Sequence, residues 1–129
     1  MFQRETLLEL QDVIMEVVRA ASAAHLAQVK TSMDWKEWQK EPQYLELSEQ
    51  GRAARARGTI LATRVRDEQI FALVDDIKLV AGAIVRAATM EESAERFIAM
   101  TTLFEKFNQR AGIVLKELDD ELLLQDTAV

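Results

Sequence analysis

His25 is the one imidazole in the chain, so proton transfer or metal ligation by histidine would begin there. It falls in helical phase with Leu7, Ile14 and Ala21, which points it toward a core. A buried imidazole needs hydrogen-bond partners, and in an antiparallel pairing of the first and last helices Thr101 lies near its level. The expectation is a satisfied core histidine rather than a ligand or general base. A di-iron carboxylate bundle would present Glu-x-x-His pairs, and Ser22 stands where that glutamate would be. Asp75 and Asp76 are the next candidates for acid–base or metal chemistry. Adjacent side chains diverge by about 100° on a helix, so they cannot share one proton or ion; Asp75 is expected to pair with Lys78, and Asp76 to be a solvated carboxylate at the core boundary. Asn108 falls between Phe104 and Ala111 on the seam of the last helix, where a polar residue can fix register. His25, Thr101 and Asn108 form the expected polar core, and neither a metal nor another cofactor is expected.

Five arginines, Arg52, Arg55, Arg57, Arg64 and Arg66, fall within residues 51–66, and no acid interrupts them. The net charge is −6, so the rest of the chain carries −11 and repels nucleic acid and anionic membrane. On a helical wheel Arg52, Arg55 and Arg66 share one side, Arg57 and Arg64 another. That splay suits a helix contacted from two sides better than a face tracking phosphates, and the acidic run Glu117, Asp119, Asp120 and Glu121 is the expected counterpart, within the chain or across subunits. Trp35, Trp38 and Tyr44 gather in a connector, either as a lid on the end of the fold or, with the arginines, as anchors for a partner. The small residues 20–24 and 81–83 favour close helix approach, with a gap for an apolar ligand as the alternative. The spacing of Arg19 and His25 resembles, over seven residues, the Arg-x(4–6)-His element of HEPN-type helical ribonucleases. Ala20 departs from the polar residue that follows the arginine in that element, and six positions set the two side chains about 120° apart.

Positioning these residues falls to helices. Leu7, Leu10, Ile14, Val17, Ala21 and Ala24 alternate spacings of three and four, which predicts a helix from about residue 5 to 30. Asp34 and Glu37 have capping-box spacing and predict a short turn carrying both tryptophans, stopped by Pro42. The segment from about 43 to 66 reads weakest, because Gly51 and Gly58 each cost about 1 kcal/mol relative to alanine. Its apolar residues split into two thin stripes, Ala53, Ala56 and Ile60 against Leu47, Ala54, Leu61 and Val65. From about 67 to 88, Ile70, Leu73, Ile77, Val80, Ile84 and Ala87 line one face. Helical phase persists across Asp67, so a single helix of about 45 residues competes with a break there. Thr89 and Glu92 form a capping box for the last helix, whose expected core face is Phe97, Met100, Phe104, Phe107, Ala111, Val114, Leu115, Leu118 and Leu122. The tail after residue 125 is expected to fray.

The prediction is an all-α fold, an antiparallel helical bundle in one domain over residues 1–129 with a connector at 31–42. A break near Asp67 gives four up-down helices; continuity gives three with one over-long middle helix that needs a second chain to cover it. One proline and four glycines in 129 residues argue against a turn-rich β fold. Zero cysteines exclude disulfides, thiolate metal sites and cysteine nucleophiles. The longest apolar runs fall well short of the roughly 18 residues of a membrane span, and the first residues lack a signal-peptide core, so a cytoplasmic protein without membrane contact is expected. With no recognisable catalytic set, the expected function is non-enzymatic protein–protein interaction or scaffolding. Self-association into a dimer or larger is expected from the off-face residues Ile98 and Ile113 and the possible over-long helix, together with binding of another protein. A nucleic-acid-associated protein using Arg52–Arg66 is the first alternative, and a helical enzyme or apolar-ligand carrier the second.

Overall fold

A computed structural model describes residues 2–31 and 33–127. Among them are α1 (Phe2–Lys30), α2 (Trp35–Trp38), α3 (Pro42–Ala62), α4 (Glu68–Val85) and α5 (Met90–Thr127), with no strand. The fold is the expected all-α bundle. Side-chain pairs fix the directions of its four long helices. Glu16 meets Arg57 and Gln3 meets the backbone of Arg64 and Arg66, so α1 and α3 run antiparallel. Arg4 with Asp119, and His25 with Phe97, set α1 against α5 in the same sense. Asp67 with Arg110, and Ala83 with Arg96, do so for α4 and α5. α1 packs on the other three, while α3 and α5 stand at opposite corners.

The single 45-residue helix does not form. The chain leaves α3 at Thr63, and Asp67 adopts an extended conformation (φ −151°, ψ 115°) as the N-cap of α4, its Oδ1 accepting from the Ile70 amide at 2.9 Å. The same carboxylate takes both ends of the Arg110 guanidinium, at 3.2 and 2.6 Å. The over-long helix is instead the last. At 1.5 Å per residue, the 38 residues of α5 span about 57 Å, twice the length of α4. α5 passes the start of α4 at Arg110 and continues beside the start of α1. It remains helical through Thr127; residues 128 and 129, and with them the end of the tail expected to fray, lie outside the described residues.

Burial follows heptads more strictly than the sequence pattern implies. Leu7, Ile14 and Ala21 of α1 are buried, as are Leu10 and Val17. On α5 the innermost line is Ser93, Met100, Phe107 and Val114, with Ala111 beside it. Phe97, Phe104, Leu115 and Leu118 flank that line, only partly buried. This corrects the expected polar core. Thr101 and Asn108 each follow a heptad residue by one position, which turns them about 100° away, and both are exposed. On α3 the second stripe is the inner one: Ala54 and Leu61 are buried and Leu47 partly so, while Ala53, Ala56 and Ile60 face solvent. Gly51 and Gly58 sit on the inner side, where a Cβ would lie 3.6 Å from Ala20 Cβ and 3.4 Å from Ile14 Cδ1. Their bare backbone brings α3 close against α1.

The caps are mixed. Thr89 Oγ1 accepts from the Glu92 amide at 3.2 Å, and Glu92 Oε2 accepts from the Ala88 amide at 3.0 Å, so the expected box forms and reaches one residue further back. Asp34 makes no side-chain cap to α2. No helix among the described residues is long and apolar enough to cross a membrane.

Candidate functional site

The chemistry-bearing side chains collect at the end of the bundle where α1 and α4 finish and α3 and α5 begin. α4 arrives there with no basic residue in its last turn and no glycine after it, so its last carbonyls need partners from elsewhere. The connector supplies them. Trp35 Nε1 and Gln39 Nε2 donate to the Ala87 carbonyl, and the Tyr44 hydroxyl donates to the Val85 carbonyl. Arg96 Nη1 donates to the Ala83 carbonyl at 2.8 Å. Trp38 is buried and meets Tyr44 edge-on at 6.2 Å. Trp35 and Tyr44 thus cap α4 with their polar tips, and the buried Trp38 packs against Tyr44. Burial raises the Tyr44 hydroxyl above its usual pKa, the nearby Arg86 charge opposing that shift.

At the same end of the bundle, His25 Nδ1 and Ser93 Oγ are hydrogen-bonded at 2.7 Å, and the imidazole stacks on Phe97 at 4.9 Å. The partner is Ser93 rather than the expected Thr101. Its signal in the sequence is its place one heptad before Met100. Burial lowers the His25 pKa below its usual value, so the neutral ring is favoured. Serine and histidine at this distance have the composition of a nucleophile and base. Ser93 is fully buried, however, and none of the clefts described below includes it. The pair ties α1 to α5. Arg19, of the Arg19–His25 spacing, is exposed and borders a different cleft; His25 is turned inward. The described residues contain no group of three or more histidines, aspartates or glutamates placed to hold a metal ion.

The arginine segment divides. Arg52 pairs with Glu49 at 2.5 Å, a local carboxylate just before the segment, and Arg57 with Glu16 of α1 at 3.0 Å. Arg64 and Arg66 are exposed at the far end of α3, their backbone tied to Gln3. Within the chain the acidic run does not meet them: Asp119 pairs with Arg4. Arg55 alone turns toward α4, where it approaches Arg86. Burial and the Arg86 and Arg52 charges lower its pKa. Both guanidiniums lie over helical glycines. Arg55 Nη1 is 3.1 Å from where a Gly51 Cβ would be, and Arg86 Nη1 is 3.1 Å from the same point at Gly82. Each pair has the same Gly-x-x-x-Arg spacing, a repeated signal that sequence reading missed. With Asp75, Lys78 and Leu79 they border a cleft of about 230 Å³. The expected Asp75–Lys78 ion pair does not form among the described residues.

Two other clefts are more apolar. One of about 510 Å³ lies between α1 and α3 among Ala20, Ala23, Leu47 and Ala53, edged by Arg19 and Arg57. The other, about 450 Å³, lies between α4 and α5 along Ala72, Leu73 and Ile113. Asp76 is exposed, as expected of a solvated carboxylate.

Comparison with known proteins found no matching family model, no matching curated protein and no matching solved structure.

Proposed function

We propose that this chain is a non-enzymatic protein-interaction module whose first partner is a second copy of itself, met through the outer face of α1 and the adjoining flank of α5. One observation carries the reading. Leu8, Met15 and Val29 fall on one seven-residue repeat of α1 and are 37%, 39% and 46% exposed, with Leu26 beside them at 49%. On α5, Ile98, next to the Phe97 that stacks on His25 of α1, is exposed as well. Singly scattered exposed apolar residues need no explanation, whereas their alignment along one helix face favours an interaction surface.

Charge favours a second copy as the occupant. Asp12 and Arg19 are exposed within the same strip and have no ion-pair partner among the described residues. A two-fold axis beside Met15 sets Asp12 of each copy against Arg19 of the other, the self-complementarity that an isologous contact requires. Twenty-one residues of helix at 1.5 Å rise make a strip about 32 Å long, and α1 with the adjoining flank of α5, each about 10 Å across, make it about 20 Å wide, which gives about 600 Å² per copy. About 1,200 Å² in total sits at the lower limit of stable interfaces, so a micromolar dimer is expected.

Light scattering tests this. Wild type should exceed 14.7 kDa as concentration rises, and Met15→Glu should return it to a monomer. Asp12→Arg should weaken the dimer, and adding Arg19→Asp should restore it. A wild type that stays monomeric up to high micromolar concentration refutes the reading.

A further inference from the structure

The geometry points to a binding site for a small phosphate-bearing ligand in the cleft between α3 and α4, with Arg55, Arg86 and Lys78 holding its phosphoryl group. It is independent of self-association, since the α1 strip takes no part in it.

The cleft holds an unbalanced charge. Arg55 and Arg86 come from different helices, and each is laid down over a glycine one turn before it. Neither guanidinium, nor the Lys78 ammonium, has a carboxylate within ion-pairing distance among the described residues. Arg52 and Arg57, on the same helix, both do. Two guanidiniums brought together without an acid repel each other, and an anion between them relieves that repulsion. Burial first, and then the same repulsion, depress the pKa of Arg55.

The cleft selects the anion by charge and size. Arg55, Lys78 and Arg86 against Asp75, all of which border it, leave two net positive charges. A phosphate monoester carries about −1.5 to −2 at pH 7, whereas a carboxylate carries one. Guanidinium forks and a lysine point charge are the donors that phosphate oxygens take. At about 230 Å³ the cleft falls below the roughly 300–1,000 Å³ of sites for drug-sized ligands. It therefore seats a phosphoryl group and leaves the remainder of a larger molecule outside.

The test is titration with inorganic phosphate, and separately with methyl phosphate, at constant ionic strength held by chloride, followed by amide chemical shifts and by calorimetry. Saturable binding is expected, with shifts centred on residues 51–55 and 78–86. Response to both compounds indicates recognition of the phosphoryl group itself; response to the monoester alone indicates that its organic part is read too. Either result supports the site. Arg55→Ala and Arg86→Ala should each weaken binding by about tenfold or more, and Arg64→Ala, at the far end of α3, should leave it unchanged. Gly82→Ala separates binding from folding. It keeps every charge but pushes the Arg86 guanidinium aside, so affinity should fall several-fold while thermal stability holds or rises, because alanine is the better helix former. Absence of saturation at millimolar phosphate, or shifts that chloride reproduces, overturns the proposal. So does tight binding of an RNA oligonucleotide that Arg64→Ala weakens as much as Arg55→Ala.

Discussion

Replacing Phe107 and Phe104 by alanine, one at a time, tests the packing of α5 directly. Phe107 is fully buried on the Ser93–Met100–Phe107–Val114 line; Phe104 lies one turn earlier and is only partly buried. A buried phenylalanine covers about 150–250 Å², of which alanine keeps a minor share. At about 25 cal/mol per Å² the lost transfer free energy is about 3 kcal/mol, and a closed cavity adds to it. Phe107→Ala should therefore cost about 3–5 kcal/mol. Phe104→Ala removes a smaller buried area and leaves a notch open to water, so about 1–2 kcal/mol is expected. The assay is urea denaturation followed by helical circular dichroism, with both variants at one protein concentration because dimerisation raises apparent stability. Repeating the pair in the Met15→Glu background removes that coupling. Unchanged m-values certify that the midpoints report stability. Equal losses, or a larger loss at Phe104, would mean that α5 is rotated from the orientation described.

Three further outcomes follow from individual side chains. Asp67→Ala should cost about 1 kcal/mol for the lost N-cap and more for the unpaired Arg110, whereas Asp67→Asn keeps a capping oxygen and should cost less; an Asn variant as unstable as the Ala variant would show that the cap contributes nothing. The Arg110 hydrogen bonds hold the Asp67 pKa below its ordinary 3.8, so its contribution is complete above that value and is lost as pH falls through the depressed one; denaturation midpoints of Asp67→Asn should show a shallower acid limb than wild type. His25, with its pKa lowered by burial from 6.5, binds its proton more readily unfolded than folded, so stability should fall as pH drops below 6.5 toward the folded value, and His25→Gln should remove that slope. Gly112 is exposed within α5, and a Cβ there meets nothing within 4 Å, so Gly112→Ala should raise stability by about 0.5–1 kcal/mol; a loss in thermal denaturation would show that the position is covered.

The helix faces of α1 and α4 were legible because their apolar residues repeat at three and four, and burial follows that repeat at Leu7, Ile14, Ile70 and Ile77. The capping box at Thr89 and Glu92 was legible for the same reason, since its partners are local. What the sequence leaves open or misplaces depends on distance along the chain or on a fine choice of phase. Asp67 lies in phase with its neighbours, so the sequence allows both a break and a continuous helix there; the extended backbone and a partner 43 residues away, Arg110, decide for the break. Thr101 and Asn108 were misplaced by one position, because α5 carries enough aromatic residues to offer two adjacent seams. Phe104 belongs to one and Phe107 to the other, and packing against α1 and α4 decides between them. Within the chain the acidic run at 117–121 meets Arg4 rather than the arginine segment, because proximity between helices depends on where each one starts, which the breaks at 31–34 and 63–67 determine.

Glycine shows how a local rule can point the wrong way. In isolation Gly51 and Gly58 lower the helix propensity of α3, and Gly82 does the same for α4. In the bundle all three face inward or along a groove. At Gly58 the missing Cβ lets Ile14 approach, and at Gly51 it admits both Ala20 and the Arg55 side chain. Gly82 does for Arg86 what Gly51 does for Arg55. A helix of ordinary alanines would be stiffer alone, but it would hold α3 farther from α1 and lift both guanidiniums out of the cleft. The positions that weaken two helices therefore set both how closely α3 packs on α1 and where the Arg55 and Arg86 guanidiniums lie. Alanine at these positions would raise helix propensity, but it would forfeit the close backbone approach at Gly51 and Gly58 and displace the Arg55 and Arg86 side chains that lie over Gly51 and Gly82.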